Sequence, residues 1–219
     1  MCFGYFPEGS GKPLLHTSGS SVVGDDAPGN CLSDTVFDED TPFVVGLAKR
    51  ARHELNGMLL GAAERGVRSV VICPTLIYGV GRGLNPHSIQ IPFLVEQART
   101  NGVVRVVGHG LNRWSTVHID DLTNLYLLAL EKAPAGSFYF AENGEASFAA
   151  IGEAIAARLG MGSVESVPAD EAAKSWGPAR AYYTYGSNSR VRARRARREL
   201  EWSPCHDSAL AWIRNEMPL

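Results

Sequence analysis

Three hydroxyl groups stand close together near the start of this chain, at the end of a run of strand-forming residues. Thr17 closes the apolar segment 13–17, and Ser18 and Ser20 follow it with Gly19 between them. A hydroxyl group held in a fixed place can hydrogen-bond a ligand or take part in proton transfer. The segment 13–17 has to supply that fixed place, because rigid elements position side chains better than loops do.

A second set of polar side chains lies between residues 114 and 121. Trp114, His118, Asp120 and Asp121 offer an indole N–H, an imidazole and two carboxylates. These groups donate, accept and titrate in the range that catalysis and binding use. Cys73 is different, because it ends an apolar run and is predicted to behave as a small buried hydrophobe, not as a nucleophile.

No pattern of metal ligands is present in the sequence. The histidines form no pair at the spacing of zinc sites, and the four cysteines have neither metal-ligand nor disulfide-framework spacing. We therefore expect no metal site and favour a reducing compartment. The residues concerned are His16, His53, His87, His109, His118 and His206, and Cys2, Cys31, Cys73 and Cys205.

The glycine-rich segment 79–83 raises the question of phosphate binding. Its third glycine comes one residue too early for a dinucleotide-binding turn, and Asn85 and Pro86 interrupt the helix that should follow. We therefore interpret it as a mobile loop that links two lobes.

An arginine-rich run at 190–198 is the sharpest local charge feature. Phosphate neutralisation on a nucleic acid is one interpretation. However, Val191, Ala193 and Ala196 leave an apolar stripe, and the net charge of the chain is −2. A solvated helix face fits these observations better, and we expect no nucleic-acid partner.

The elements that must position these residues alternate between strand and helix. Segments 13–17 and 67–72 predict strands, and the helix between them is predicted to start at Thr41 and to end at Gly66. A strand, a crossover helix and a strand imply a parallel sheet. The fold class is therefore α/β. Further elements are predicted as helices at 89–100, from Asp120 to about 133, at 147–160 after a Ser147 cap and at 208–215, and as strands at 103–107, 137–140 and 163–167.

Bulk composition is that of an ordinary globular protein. Of 219 residues, 45% are hydrophobic and 20% charged, and no stretch approaches the length needed to cross a bilayer. The N-terminus lacks the basic start and apolar run of a signal peptide. We expect a cytoplasmic protein with no membrane partner.

Three ordered segments together resemble the extended short-chain dehydrogenase/reductases, the NAD-dependent epimerase/dehydratase family. They are 17–24, 69–79 and 117–122, and the resemblance covers nearly all of residues 12–219. It implies an α/β fold, namely the C-terminal part of a Rossmann-type parallel sheet (residues 1–80) with a small mixed α/β substrate lobe (mainly 81–219). It also implies NAD or NADP as cofactor and a small-molecule substrate.

The resemblance also implies which residues form the site. The family's catalytic Ser/Thr falls at Gly19, so the flanking Ser18 and Ser20 are the candidate catalytic residues. The family pairs a tyrosine with a lysine four residues later, which places both on one helix face. Counting back from Glu54 puts that pair at Gly46 and Arg50, so this chain resembles the atypical branch that has lost it. The implied cofactor-binding residues are Thr17, Ser18, Gly19, Arg50, Pro74 and Thr75, and the implied substrate-binding residues are Tyr78, Arg113, Trp114 and His118.

The family's glycine-rich βαβ unit, which binds the dinucleotide phosphates, has no counterpart in this sequence. We therefore expect a truncated, weakly active or inactive oxidoreductase of the epimerase/dehydratase type. The alternative is a non-catalytic small-molecule-binding or regulatory module. Without a preceding unit the strand at 13–17 becomes a sheet edge, which predicts homodimerisation or other edge-strand association unless Cys2–Phe6 form a substitute strand.

Overall fold

A computed structural model describes residues 9–219. One sheet of three parallel strands contains β1 (Pro13–Thr17), β2 (Arg68–Pro74) and β6 (Ser137–Ala141) in the order β1-β2-β6. β2 is central and almost wholly buried, as its β-branched, apolar sequence predicts. The predicted unit of strand, crossover helix and strand is therefore confirmed, and the class is α/β.

The crossover helix α1 (Arg50–Gly61) begins later than predicted. Thr41 does not start it: its hydroxyl bonds the Asp38 carboxylate at 2.5 Å in a turn. Glu39 also holds this segment to the sheet and to a later helix, because its carboxylate accepts the backbone N–H groups of Phe140 and Arg195. The prediction of Thr41 as a helix cap is wrong, because its side chain forms a turn with Asp38 and tertiary contacts hold the segment there. α1 ends at Gly61, a 3₁₀ turn (Ala62–Arg65) follows, and the helical segment stops at the predicted Gly66, with φ at +75°.

The remaining strands form two smaller sheets. β3 (Leu76–Tyr78) pairs with β5 (Arg113–His118), which also pairs antiparallel with β7 (Glu145–Ser147). β4 (Val104–Val107) pairs in parallel with β8 (Val164–Val167). The other helices are α2 (Gln90–Asn101), α3 (Ile119–Lys132), α4 (Phe148–Leu159), α5 (Ala169–Trp176), α6 (Pro178–Arg180), α7 (Arg194–Glu199) and α8 (Ala209–Asn215).

Besides Thr41, one further predicted helix cap is wrong. Ser147 caps α4, accepting a backbone N–H three residues later, and Ser208 does the same for α8. The predicted cap Asp120 is wrong, because the helix starts one residue earlier and the ring of His118 accepts the Asp120 N–H.

Two clusters of buried apolar side chains support these sheets. One lies on the three-stranded sheet under α3 and α7, and contains Ile72, Leu125, Tyr139 and Trp202. The other lies between α2, α4, α5 and the β4–β8 pair. β6 returns from the second half of the chain to the first sheet, and the division near residue 80 stays a prediction. No helix in the described part of the chain is long and apolar enough to cross a membrane.

The arginine-rich run forms only the short helix α7 and its lead-in. Its predicted apolar stripe is confirmed, because Val191, Ala193 and Ala196 are fully buried. Its charged side is engaged with carboxylates instead of standing free in solvent. The pairs are Arg190 with Glu145, Arg192 and Arg197 with Glu142, Arg194 with Asp38, Arg195 with Asp40, and Arg198 with Glu199.

Within residues 9–219, β1 pairs on one side only, so it is an edge of the sheet as predicted. The suggested substitute strand at 2–6 lies outside the described residues. We expect the purified chain to associate through this edge, because its unpaired N–H and C=O groups are a template for another strand. Leu14→Lys should shift the chain towards monomer in size-exclusion chromatography with light scattering.

The matched control is Val44→Lys, which changes a side chain that is already 97% exposed and remote from β1. If Leu14→Lys leaves association intact while Val44→Lys abolishes it, the chain does not associate through the edge at β1.

Candidate functional site

The main cavity lies at the carboxyl ends of β1 and β2 and has a volume of about 530 Å³. Carboxyl ends of neighbouring parallel strands meet at one edge, and this is where ligands bind in open α/β sheets. The loop after β1 and Pro74–Thr75 form one wall. The loop 79–90, Trp114 and Tyr185 also line it.

Most of the residues that the resemblance implied meet in this cavity. The structure places Thr17, Ser18, Gly19, Ser20, Pro74, Thr75 and Trp114 in its lining. Four others lie outside the lining: Arg50, Tyr78, Arg113 and His118. The glycine-rich segment also contributes, since Gly79 and Gly81 line the cavity and the Gly81 N–H donates to the Pro86 carbonyl at 2.7 Å.

Ser18 differs from its neighbours because its hydroxyl is buried and has no hydrogen-bond partner among the described residues. The Ser20 hydroxyl bonds Ser189 Oγ at 2.9 Å, and Thr75 Oγ1 donates to the Ala141 carbonyl at 2.9 Å. Thr17 Oγ1 is hydrogen-bonded to the hydroxyl of Tyr126. Of these four hydroxyls, only that of Ser18 lacks a hydrogen bond to another oxygen of the described residues, and it lies beside the Cys73 thiol.

Cys73 behaves as predicted. Burial raises the pKa of its thiol to about 12, although Ser18 and the Arg52 guanidinium act in the opposite direction. The thiol is therefore protonated at neutral pH and does not act as a nucleophile.

The cation that reaches the cavity at the start of α1 is Lys49, the residue before the helix, and not Arg50. Arg50 is exposed at the first position of the helix, whereas Lys49 lines the cavity. Its Nζ lies 3.5 Å from the Tyr183 carbonyl and 5.2 Å from the centroid of that ring. Burial, assisted by repulsion from Arg52, lowers the pKa of the Lys49 ammonium.

Sequence reasoning missed Lys49 because the count started at Glu54 and gave the position next to it. A lysine beside that position was the available signal. The correction does not restore the tyrosine, since Val45 stands four residues before Lys49. The tyrosine in the cavity, Tyr185, donates its hydroxyl to the Gln90 carbonyl at 3.1 Å, and burial raises its pKa.

Two arginines in the lining were also not foreseen. The Arg52 guanidinium lies over Gly19, where a Cβ atom would stand 3.4 Å from its Nη1. Arg180 enters from α6, at the other side of the cavity. Neither carries a local sequence signal, because each arginine approaches from an element whose place depends on tertiary packing.

Tyr78 and His118 form a cluster with His206 behind the cavity wall. The Tyr78 hydroxyl donates to the His206 carbonyl at 3.0 Å, and the two imidazole rings stack at 3.9 Å. Burial, followed by repulsion from His206, lowers the pKa of His118. Gly79 adopts a φ of +96°, and a Cβ there would lie 2.5 Å from His118 Nε2, so only glycine allows this close approach. Whether Tyr78 and His118 contact substrate stays a prediction.

Trp114 and Arg113 are held by neighbouring chain segments. The Trp114 indole N–H donates to the Ser187 carbonyl at 2.8 Å. Arg113 Nη1 lies 3.3 Å from the Glu145 carboxylate, which also binds Arg190 at 3.0 Å. Arg113 therefore has a structural partner, and its predicted contact with substrate stays a prediction.

Folding brings together side chains whose spacing gave no sign of a metal site. His118, Asp120 and His206, and also Asp121, Cys205 and His206, have ligand atoms within 4.8 Å of one another. The Asp121 carboxylate already accepts the backbone N–H groups of Cys205 and His206 at 3.1 and 2.9 Å. It therefore has a structural role in anchoring that loop, and the absence of a metal stays a prediction.

The chain belongs to the NAD-dependent epimerase/dehydratase family. The model of that family matches residues 8–139. An oxidase, ucsJ, from Acremonium sp. is 32% identical over 225 residues, with 87% of this chain and 64% of the relative aligned. The chain therefore spans less than two thirds of the length of this relative.

Solved structures show the same fold. The dTDP-glucose 4,6-dehydratase DesIV from Streptomyces venezuelae, with NAD and TYD bound, superimposes with a TM-score of 0.67 at 19% identity, covering 93% of this chain and 60% of DesIV. The UDP-glucuronic acid 4-epimerase from Bacillus cereus, in complex with UDP-glucuronic acid and NAD, gives 0.67 at 18% identity, covering 93% and 60%. Several structural neighbours thus bind NAD.

The charge network around Glu145 yields a stability prediction. Burial disfavours ionisation of this carboxyl, but hydrogen bonds and attraction from Arg190, together with Arg192 and Arg113, hold its pKa below the ordinary value. We expect Glu145→Gln to cost about 2 kcal/mol, less than the ~3–5 kcal/mol for a fully buried pair. Because the folded pKa is depressed, the contribution is present above the ordinary glutamate pKa and is lost as the pH falls below it. Urea unfolding across pH 3–7 measures both effects.

The control is Glu165→Gln, whose partner Arg105 and whose own side chain are both about half exposed. That substitution should change the free energy of unfolding by less than ~0.5 kcal/mol. Equal losses for the two variants would contradict the importance of the Glu145 network.

The two serines of the cavity wall give a second comparison. Ser18→Ala removes a buried hydroxyl without a partner, so the melting temperature should stay the same or rise. Ser20→Ala removes one of the two acceptors of the Ser189 hydroxyl, which keeps its bond to the Ser20 carbonyl, and should cost about 0.5–1 kcal/mol. Differential scanning calorimetry of both variants decides this, and a larger loss for Ser18→Ala would show that its hydroxyl is structural.

Proposed function

We propose that this chain carries the reactive half of an NAD(P)-linked oxidoreductase of the epimerase/dehydratase type, acting at a carbon that bears oxygen. The observation that carries the proposal is the position of the Lys49 ammonium in a cavity at the carboxyl ends of β1 and β2. Family membership and a relative named as an oxidase support the reaction class.

The cavity fits the nicotinamide end of such a cofactor. The buried, unpaired Ser18 hydroxyl offers a hydrogen bond, and Lys49 offers a positive charge that neutral groups alone hold in place. Ser18, Lys49 and the backbone at Pro74–Thr75 would hold this end. When bound, the nicotinamide supplies or accepts a hydride.

The described chain offers less to the phosphates of the cofactor than to its nicotinamide. Among residues 9–219, no strand runs through a glycine-rich turn directly into a helix, so backbone N–H groups of that kind are not offered to a pyrophosphate. We therefore propose that this chain binds the dinucleotide weakly. The titration described below, with NADH and with NADPH, also tests which of NAD and NADP the chain binds.

Proton transfer is the step that this chain supports least. Val45 stands where a phenol would be paired with Lys49, and Tyr185 is engaged with Gln90. A positioned acid or base contributes roughly 10²–10⁴-fold to a rate. We propose slow turnover for this reason. Lys49 would bind and polarise the ligand but would not transfer a proton to it.

Titration of the purified chain with NADH and with NADPH tests the proposal. Energy transfer from tryptophan should report saturable binding with a dissociation constant of about 1 mM, the weak end of the ordinary range for enzyme ligands. Lys49→Met should weaken binding at least tenfold, because the variant removes the charge and keeps most of the side-chain volume.

Lys174→Met is the control, since Lys174 is exposed on α5 and lies outside the cavity lining. No binding at several times ~1 mM, or equal binding by both variants, would refute the cofactor proposal.

The second candidate is a non-catalytic binding or regulatory module. The missing partner of Lys49 specifically favours it. Absorbance at 340 nm, followed with NADH and a panel of ketones and aldehydes, separates the two candidates. Turnover that disappears in Lys49→Met supports the oxidoreductase, whereas ligand binding without any turnover supports the module.

A further inference from the structure

We infer that the cavity recognises a small organic anion, and that Arg180 with Arg52 determines this specificity. The ligand chemistry is an oxyanion, a carboxylate or a phosphate monoester, on a molecule that fits within about 530 Å³. This inference rests on the proposed function only in taking the same cavity as the substrate site.

The first observation is the charge of the lining. Lys49, Arg52 and Arg180 all line the cavity, and no aspartate or glutamate of the described chain does. A concave site lined by charge of one sign focuses the field and concentrates ligands of the opposite sign. The net charge of the whole chain is −2, so the positive charge of the cavity lining is a local feature and does not reflect an overall basic composition.

The second observation is that these cations are not neutralised. None of the three forms an ion pair within residues 9–219, whereas each of the six arginines between 190 and 198 pairs with a carboxylate. Carboxylates are thus available in this fold, and the cavity excludes them. Lys49 is partly buried, whereas Arg52 and Arg180 are exposed at the rim, so the two guanidinium groups are open to an incoming anion and no carboxylate of the described chain competes for them.

The third observation is that Arg180 is held in place by neutral groups. Its Nη1 donates to the Trp176 carbonyl at 3.2 Å, and the guanidinium carbon stands 4.9 Å from the centroid of the Phe93 ring. Both contacts fix the planar group and leave its charge uncompensated. Pre-organisation of this kind reduces the entropy cost of binding a carboxylate or phosphate.

The position of Arg180 makes it a specificity determinant. Lys49 and Arg52 approach from α1, on the side of the cavity formed by the β1 loop. Arg180 approaches from α6, next to the wall formed by Tyr185, whose pKa it lowers against the larger effect of burial. An anionic group bound by Arg180 would place the rest of a small molecule towards Ser18 and Lys49.

Binding of matched probes to the full chain tests the inference without any cofactor. Isothermal titration calorimetry would compare benzoate and phenyl phosphate with benzamide, a neutral molecule of the same shape as benzoate. We expect at least one of the two anions to bind tenfold or more tightly than benzamide, a difference of about 1.4 kcal/mol. Which anion binds more tightly distinguishes a carboxylate substrate from a phosphate ester.

Variants then locate the effect. Arg180→Gln and Arg52→Gln should each weaken binding of the preferred anion at least fivefold, and Arg180→Lys should restore part of it. Arg99→Gln is the control, because Arg99 is exposed on α2 and does not line the cavity. Circular dichroism would show whether loss of the Phe93 contact destabilises Arg180→Gln. If it does, Arg52→Gln, which leaves that contact intact, still tests the inference.

The result that overturns the inference is equal binding of acid and amide, or anion binding that both glutamine variants leave unchanged. Its failure differs from that of the proposed function. If NADH does not bind but benzoate is still preferred over benzamide, the cofactor proposal falls and the anion site stands. If NADH binds and the probes are not distinguished, the reverse holds.

Discussion

Parallel pairing of β1 with β2 is the constraint on which the site depends. In a parallel pair both strands end at the same edge, so the hydroxyl-rich loop after β1 and the Pro74–Thr75 turn after β2 are brought together. The crossover through α1 then returns over this sheet and brings Lys49 to the same place. A change of register by one residue would turn Ser18 and Lys49 away from each other.

Charge is distributed in two different ways in this fold. The arginines that precede and form α7 are used for structure, since all but Arg198 pair with a carboxylate on another segment, and Arg198 pairs with Glu199 of the same helix. Glu145 and Glu142 each hold more than one of them. In the cavity, Lys49 and Arg180 each contact a carbonyl group and an aromatic ring, and Arg52 lies over Gly19. Cations of one sign in a concave site attract a ligand of opposite charge.

For the proposed function, the cavity offers only part of the chemistry that a dinucleotide-dependent reaction needs. A buried free hydroxyl and a desolvated ammonium are present, whereas the phenol that would complete a proton-transfer pair is replaced by Val45. Binding and polarisation can survive such a loss more easily than proton transfer can. Slow turnover and selective binding of an anion are therefore compatible properties of one site.

Local signals in the sequence were sufficient for the α/β class, the parallel β1–β2 unit, the helix starts at Ser147 and Ser208, and the stop at Gly66 after α1 and its 3₁₀ extension. They also singled out Ser18 and Thr75, because residues that follow a strand are placed by that strand. Tertiary structure decided the rest. α1 starts at Arg50 and not at Thr41, because distant backbone groups bind Glu39. The cavity cations Lys49, Arg52 and Arg180 come together only after α1 and α6 have packed around the cavity. Charge complementarity depends on distances between residues far apart in the chain, and no local pattern encodes those distances.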